Sequence, residues 1–189
     1  MKKIFLPFLF AIIIAPPTIF SQPKSLHAGI KLTGELTLYD GFAPGAGGQL
    51  VYIMNKNSGI ESGIFWQKRR FATIVTEGFP GSQGFYTSEI FSHRLQIPIL
   101  YRYSSKAINF NAGPVVDIPI GITVKTKDPD PSLKNFKNYK TGIILTGGIS
   151  HSFYITPVII LEPEVNFNYL TIRNDGGVGI NLAVRKKIF

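Results

Sequence analysis

The chain contains no cysteine. An exported protein built this way has no disulfide framework and no thiol chemistry, and no lipid anchor can sit on a cysteine behind its leader. Beyond the first residues, no window holds eighteen consecutive apolar side chains. If the mature chain crosses a membrane, it must therefore cross with strands. A block of lysine and arginine is missing too, because twelve of the 20 basic residues stand alone and the rest form one pair, Lys2-Lys3, and two triplets, Lys68-Arg69-Arg70 and Arg185-Lys186-Lys187. That scatter, in an exported chain, argues against nucleic acid as a partner.

What the first residues do hold is Met1-Lys2-Lys3, an apolar run over 4–15 broken by Pro7, then Pro16-Pro17 and a polar step at Ser21-Gln22. This is the pattern of a secretory signal peptide over 1–21, and its run falls short of the about 20 residues a spanning helix needs. Cleavage after Ser21, with Ile19 at the minus-three position, leaves 22–189 as a single domain. The formal charge of +9 loses Lys2 and Lys3 with the leader and stands at +7. Anionic lipid headgroups or lipopolysaccharide phosphates are the natural counter-charges for an exported basic protein.

The stretch 108–124 alternates without a break. Ile108, Phe110, Ala112, Pro114, Val116, Ile118, Ile120, Ile122 and Val124 share one parity; Asn109, Asn111, Gly113, Val115, Asp117, Pro119, Gly121, Thr123 and Lys125 share the other. Strand side chains point to opposite faces in turn, so this predicts a strand with one apolar and one polar face. It is longer than the about 9 to 11 residues with which a tilted strand crosses a bilayer. The alternation recurs at 26–39, 89–103, 153–172 and 178–189, and in blurred form at 47–55, 59–71 and 139–150. Together these make eight strands.

The connections follow a rhythm. Asp40-Gly41 and Pro44-Gly45 mark a medium turn, Lys56-Asn57-Ser58 and Ser104-Ser105-Lys106 tight ones, His151-Ser152 a minimal one, and Asn174-Asp175-Gly176-Gly177 a hairpin. Two polar stretches, 72–87 and 126–138, the second centred on Asp128-Pro129-Asp130-Pro131, read as long loops. Long connections alternating with short ones are what an outer-membrane barrel with both termini in the periplasm displays. The expectation is an all-β, eight-stranded antiparallel up-and-down transmembrane β-barrel, apolar outside and polar within. A soluble periplasmic barrel of lipocalin type is the rival, but it would carry its charges outside.

With one parity facing lipid, Glu35, Arg94, Arg102, Asp117, Glu162, Glu164 and Arg185 fall in the lumen. Eight strands leave an interior just wide enough for side chains, so these groups are expected to form an ion-paired plug, with Glu162 or Glu164 meeting an arginine such as Arg94, Arg102 or Arg185. A path for small solutes along the same ladder is the alternative. Trp66, Tyr101, Tyr103 and Tyr169 are candidates for the membrane rim, Trp66 together with Lys68, Arg69 and Arg70. Ile118→Arg should cost about 2 to 4 kcal/mol near the midplane, and Asn111→Asp, on the lumen face, much less.

Enzymatic chemistry finds little support. Of the three histidines, His27, His93 and His151, the last sits beside Ser152 in a tight turn, and neighbours on a tight turn point apart, which spoils a nucleophile and base pair. Asp128 and Asp130 lack the ligand count of a calcium loop. No cofactor or metal is expected, and a lipid-modifying outer-membrane enzyme remains only as a rival reading.

Three segments carry a family resemblance: Ile60-Glu61-Ser62-Gly63-Ile64-Phe65-Trp66-Gln67-Lys68, Leu95-Gln96-Ile97-Pro98-Ile99-Leu100-Tyr101-Arg102-Tyr103, and Phe110-Asn111-Ala112-Gly113-Pro114-Val115-Val116. In this order they resemble the PorT-like outer-membrane β-barrel family of Bacteroidota, also described as the porin family or outer membrane protein β-barrel domain. The resemblance implies insertion by the barrel-assembly machinery into the outer membrane of a Gram-negative bacterium, and an accessory role in secretion as one possible task. The extracellular or secretion-system partner would meet loops 72–87 and 126–138. One departure is that Phe189 shares its parity with Arg185 and Lys187, which calls for a bulge near Arg185 or a rim position for Phe189.

Overall fold

A computed structural model describes residues 24–37, 41–77, 85–105, 107–126, 140–171 and 175–189. The leader 1–21 and nearly all of the 126–138 stretch lie outside the described residues. The strand segments are β1 (Ser25–Thr37), β2 (Gly41–Ile53), β3 (Ser58–Glu77), β4 (Phe85–Ser104), β5 (Asn109–Thr126), β6 (Gly142–Ser150), β7 (Phe153–Tyr154), β8 (Ile159–Leu170) and β9 (Asp175–Lys187). Every pairing is antiparallel. β1 to β6 pair in chain order, β9 pairs with β1, and β8 pairs with both β9 and β6, so the sheet closes on itself. β7 continues β6 past His151-Ser152 and pairs with the same β8. The nine segments thus make the eight-stranded antiparallel barrel that the alternation predicts.

Closure joins the two ends of the sheet to each other, and polarity is inverted relative to a soluble barrel. Ile30, Leu32, Leu36, Leu50, Ile64, Ile99, Phe167 and Ile180 are exposed on the outside, while Lys31, Glu35, Glu61, Arg102, Asp117, Glu162 and Arg185 are buried. Leu100, Val115 and Ile144, with Leu170 against them, form an apolar patch inside the lumen.

The observed turns correct several sequence expectations. Much of the stretch 72–87 is strand rather than loop: β3 runs to Glu77 and β4 starts at Phe85, paired from Ala72↔Ile90 to Glu77↔Phe85, and 78–84 lie outside the described residues. Thr73-Ile74-Val75-Thr76 is β-branched throughout, and such side chains suit a pleated strand. Likewise β2 begins at Gly41, so Pro44 and Gly45 lie inside it. Pro44 stands just beyond the last β2–β3 pair, Gly45↔Gln67, where one side of the strand carries no ladder.

The minimal turn is not at His151-Ser152 but at 155–158, so 153–172 is not one strand. Thr156 Oγ1 there accepts from the N–H groups of Val158 at 3.3 Å and Ile159 at 3.0 Å, and Pro157 fixes the bend. In the last hairpin Leu170 pairs with Asp175 and Tyr169 with Gly176, so Asp175-Gly176-Gly177 already belongs to β9 and the turn comes earlier.

The long alternation of β5 also breaks. The β4–β5 register slips by one residue between His93↔Gly121 and Arg94↔Pro119, which leaves Ile120 as a bulge. Residues directly opposite share a face, and Ile122 and Val124 stand opposite the buried Ser92 and Ile90. Ile122 and Val124 therefore turn inward, while Gly121, Thr123 and Lys125 turn out. A second bulge at Phe71 shifts the β3–β4 register between Arg70 and Ala72. β9, in contrast, keeps one register along both neighbours. Phe189 therefore lies exposed past the strand end, its carbonyl accepting from Leu26 N–H at 3.1 Å, which is the rim position rather than the bulge.

Candidate functional site

The lumen is layered. Towards the end that carries the short turns and the termini, Glu162 on β8 accepts from Arg102 Nη2 at 2.6 Å, from Arg185, and from the hydroxyls of Ser150 at 2.9 Å and Ser152 at 2.8 Å. Arg102 also donates to Glu61 at 3.0 Å, and Lys31 Nζ binds Glu61 at 3.0 Å and Glu164 at 2.9 Å. Glu164 is further held by the side-chain amides of Asn111 at 2.9 Å and Asn181 at 2.7 Å. Above the apolar patch lies a second charged layer, where Arg69 pairs with Glu35 and Arg94 with Asp117. Gln67 donates to Glu35 at 2.8 Å and accepts from Gln96 at 2.8 Å, stitching this layer together.

All seven lumen residues named from the sequence are thus in the interior, but the pairing differs in part. Glu162 meets Arg102 and Arg185, whereas Glu164 meets a lysine, Lys31, and Arg94 meets Asp117. The sequence reading missed Lys31 and Glu61, the centre of the lower network. Lys31 shares the inward parity of Glu35, and Glu61 that of Gln67, so alternation alone would have found both. It also grouped Arg69 with the rim; Arg69 is buried, because it sits between two outward residues of β3. Asn111→Asp is no mild change either, since it would set a second carboxylate 2.9 Å from Glu164. Gly148 leaves room for the Asn111 amide, where a Cβ would stand 2.5 Å from its oxygen.

Within these two layers the buried charges are tolerable because each has a partner. The described residues leave a space of about 60 Å³ between the two charged layers and one of about 430 Å³ at the short-turn mouth, lined by His27, Lys56, Arg102 and Arg185 among others. The Arg102–Glu61 pair separates them. Ser152, His151 and Glu162 do not assemble as nucleophile, base and acid. Ser152 bonds Glu162, while the His151 ring bonds the Ala107 carbonyl and meets Phe153 edge-on at 4.5 Å. Asp128 and Asp130 lie outside the described residues.

On the outside, Tyr101 and Tyr103 lie at the short-turn end of β4, and Trp66 pairs with Leu95 eight residues further along from Tyr103. Eight residues at about 3.3 Å each, on a strand tilted by about 40°, rise about 20 Å, close to the about 25 Å apolar band of an outer-membrane barrel. Tyr169 sits near the opposite end of β8, one residue before its final pair. Loop-ward of Trp66 the surface changes: the Trp66 ring stacks on His93 at 5.7 Å, and His93 bonds Thr123 at 2.8 Å. Next to them, Lys68 Nζ lies 4.3 Å and Lys125 Nζ 5.5 Å from the ring of Phe91.

Geometry and polarity together define the class: a closed eight-stranded antiparallel β-barrel with an ion-paired lumen. Among the solved structures to which it is similar are outer-membrane proteins. They include Ail, the attachment invasion locus protein of Yersinia pestis (11% identity, 87% of this chain and 97% of that one, TM-score 0.43). Neisserial surface protein A (12%, 86% and 96%, 0.41) and AlkL in lipid bilayers (10%, 88% and 91%, 0.43) are two more. No family model matches the chain, and no curated protein does.

Proposed function

We propose that the protein is an integral outer-membrane β-barrel, exported with a leader at 1–21, that is neither a channel nor an enzyme and acts through its outer surface. The observation that carries this is the inverted polarity: a girdle of exposed isoleucine, leucine and phenylalanine around a lumen in which Glu35, Glu61, Asp117, Glu162 and Glu164 are ion-paired. In water that girdle would aggregate; in lipid it is the favourable arrangement. Leu26 and Phe189 lie together at the short-turn end, which barrel convention makes periplasmic. The contact surface for an extracellular or secretion partner is then the opposite end, around 78–84 and 127–139, shorter on the β3–β4 side than the sequence suggests. The three resembling segments lie on β3, β4 and β5, in line with the PorT-like reading.

Fractionation and conductance test this. The protein should extract only with detergent, migrate differently on a gel before and after heating, and give no conductance steps in liposomes. Recovery from the soluble periplasm would overturn the membrane reading, and discrete conductance would overturn the plugged lumen.

A further inference from the structure

The outward face of β3–β5 just loop-ward of Trp66 is not an ordinary end to an apolar belt. Lys68 and Lys125 come from strands on either side of β4 and converge on one ring, Phe91. Among the described residues neither lysine has a carboxylate at ion-pair distance. The third cation, Arg70, lies 3.7 Å from Glu89. Beside them Trp66 and His93 form a stacked pair, pinned by Thr123.

The bulge at Ile120 makes this arrangement. With unbroken parity Thr123 and Lys125 would face the lumen; the extra residue turns both outward, next to His93 and Phe91. A bulge that re-aims side chains is a common device beside functional sites. Two ammonium groups are held near one ring, and Glu89, which stands opposite Lys125, already faces Arg70 at 3.7 Å, so the described residues leave a net positive spot. That spot lies at the level where acyl chains give way to headgroups. Nothing water-soluble needs to lie flat against the wall there.

We propose that this face binds the phosphorylated sugar headgroup of an outer-leaflet glycolipid. A phosphate sits between Lys68 and Lys125, and a sugar ring lies against the Trp66–His93 pair. The proposal rests on the outer-membrane reading, since only that orientation puts this level in the outer leaflet. The glycolipid rather than a free phosphate is the ligand because the spot continues directly into the apolar belt at Leu95, Ile118 and Ile97, where acyl chains would pack.

Trp66 is the sole tryptophan of the chain, so its emission reports on the site directly. Refolded barrel in detergent is titrated with bisphosphorylated lipid A, with the same lipid freed of phosphate, and with inorganic phosphate. Bisphosphorylated lipid A should shift Trp66 emission saturably, and the other two should not. Lys68→Gln with Lys125→Gln should weaken binding about thirtyfold, while Lys186→Gln, outward at the other rim, should leave it unchanged. An equal response to the dephosphorylated lipid, or an unchanged affinity in the double variant, overturns the site. A response to inorganic phosphate alone overturns the glycolipid as its ligand. Heat-modifiable migration of each variant shows separately that the barrel itself has formed, so a failed site is distinguished from a failed barrel.

Discussion

Arg102 and Glu162 meet at 2.6 Å from β4 and β8, strands that stand three places apart around the wall. A bond of this kind spans the lumen rather than running along it. It ties parts of the ring that the ladder does not connect directly.

Glu162 is therefore the most sensitive carboxylate of the interior. Glu162→Gln leaves Arg102 and Arg185 competing for less charge, and removing one member of a buried pair costs about 3 to 5 kcal/mol. The midpoint of urea unfolding in lipid vesicles should drop by more than it does for Glu35→Gln, whose carboxylate serves one guanidinium.

The Glu35–Arg69 pair offers a cleaner cycle. Each single change, Glu35→Gln or Arg69→Met, strands a buried charge, while the double change removes both. The double variant should be more stable than the sum of the two losses allows. Strict additivity would mean that water already screens this layer.

Depth should govern the cost of charge on the outside. Ile99 lies mid-belt, four residues from both Leu95 and Tyr103, and Ile118 beside Leu95, at the level of Trp66. Ile99→Arg should cost about 2 to 4 kcal/mol and Ile118→Arg about 0 to 1, as for sites near the interface. Folding titrations into vesicles measure both, and the reverse order would move the midplane to Trp66.

The bulge at Ile120 can be read by labelling, because the chain has no cysteine of its own. In the folded barrel a membrane-impermeant maleimide should modify Lys125→Cys and spare Ile122→Cys. The opposite result would restore unbroken parity along β5.

Orientation is open to protease. Trypsin added to intact cells should cut near Lys127 or Lys134 and leave Lys56, in the 54–57 turn, intact, since loop tips are where cleavage concentrates. Cutting at Lys56 would invert the barrel.

Alternation made the wall legible. Each β-strand declares its two faces locally, and Glu35, Asp117, Glu162 and Arg185 could be assigned inward from their neighbours alone. What alternation does not declare is where it resets. Nothing in the composition around Phe71 or Ile120 marks a bulge, since an extra residue is defined by the partner strand. Turn chemistry misled for a related reason: Asp175-Gly176-Gly177 has hairpin composition, yet the register that carries Tyr169 opposite Gly176 places it inside a strand. Arg69 was hidden by its neighbours, because a run of three basic residues reads as one patch until the pleat splits it.

Lys31 bridges β3 and β8 from β1. Neither contact is available to a hairpin, because both reach past the nearest strand on either side, and the two together need strands from opposite ends of the chain. Each such charge must leave water before its partners can all arrive, so an open, half-built sheet carries the desolvation cost without the attraction that offsets it. The ring should therefore close cooperatively, with few stable forms between a loose chain and a sealed barrel. A machine that inserts it would have to keep the two ends of the sheet, β1 and β9, apart until every strand is in place.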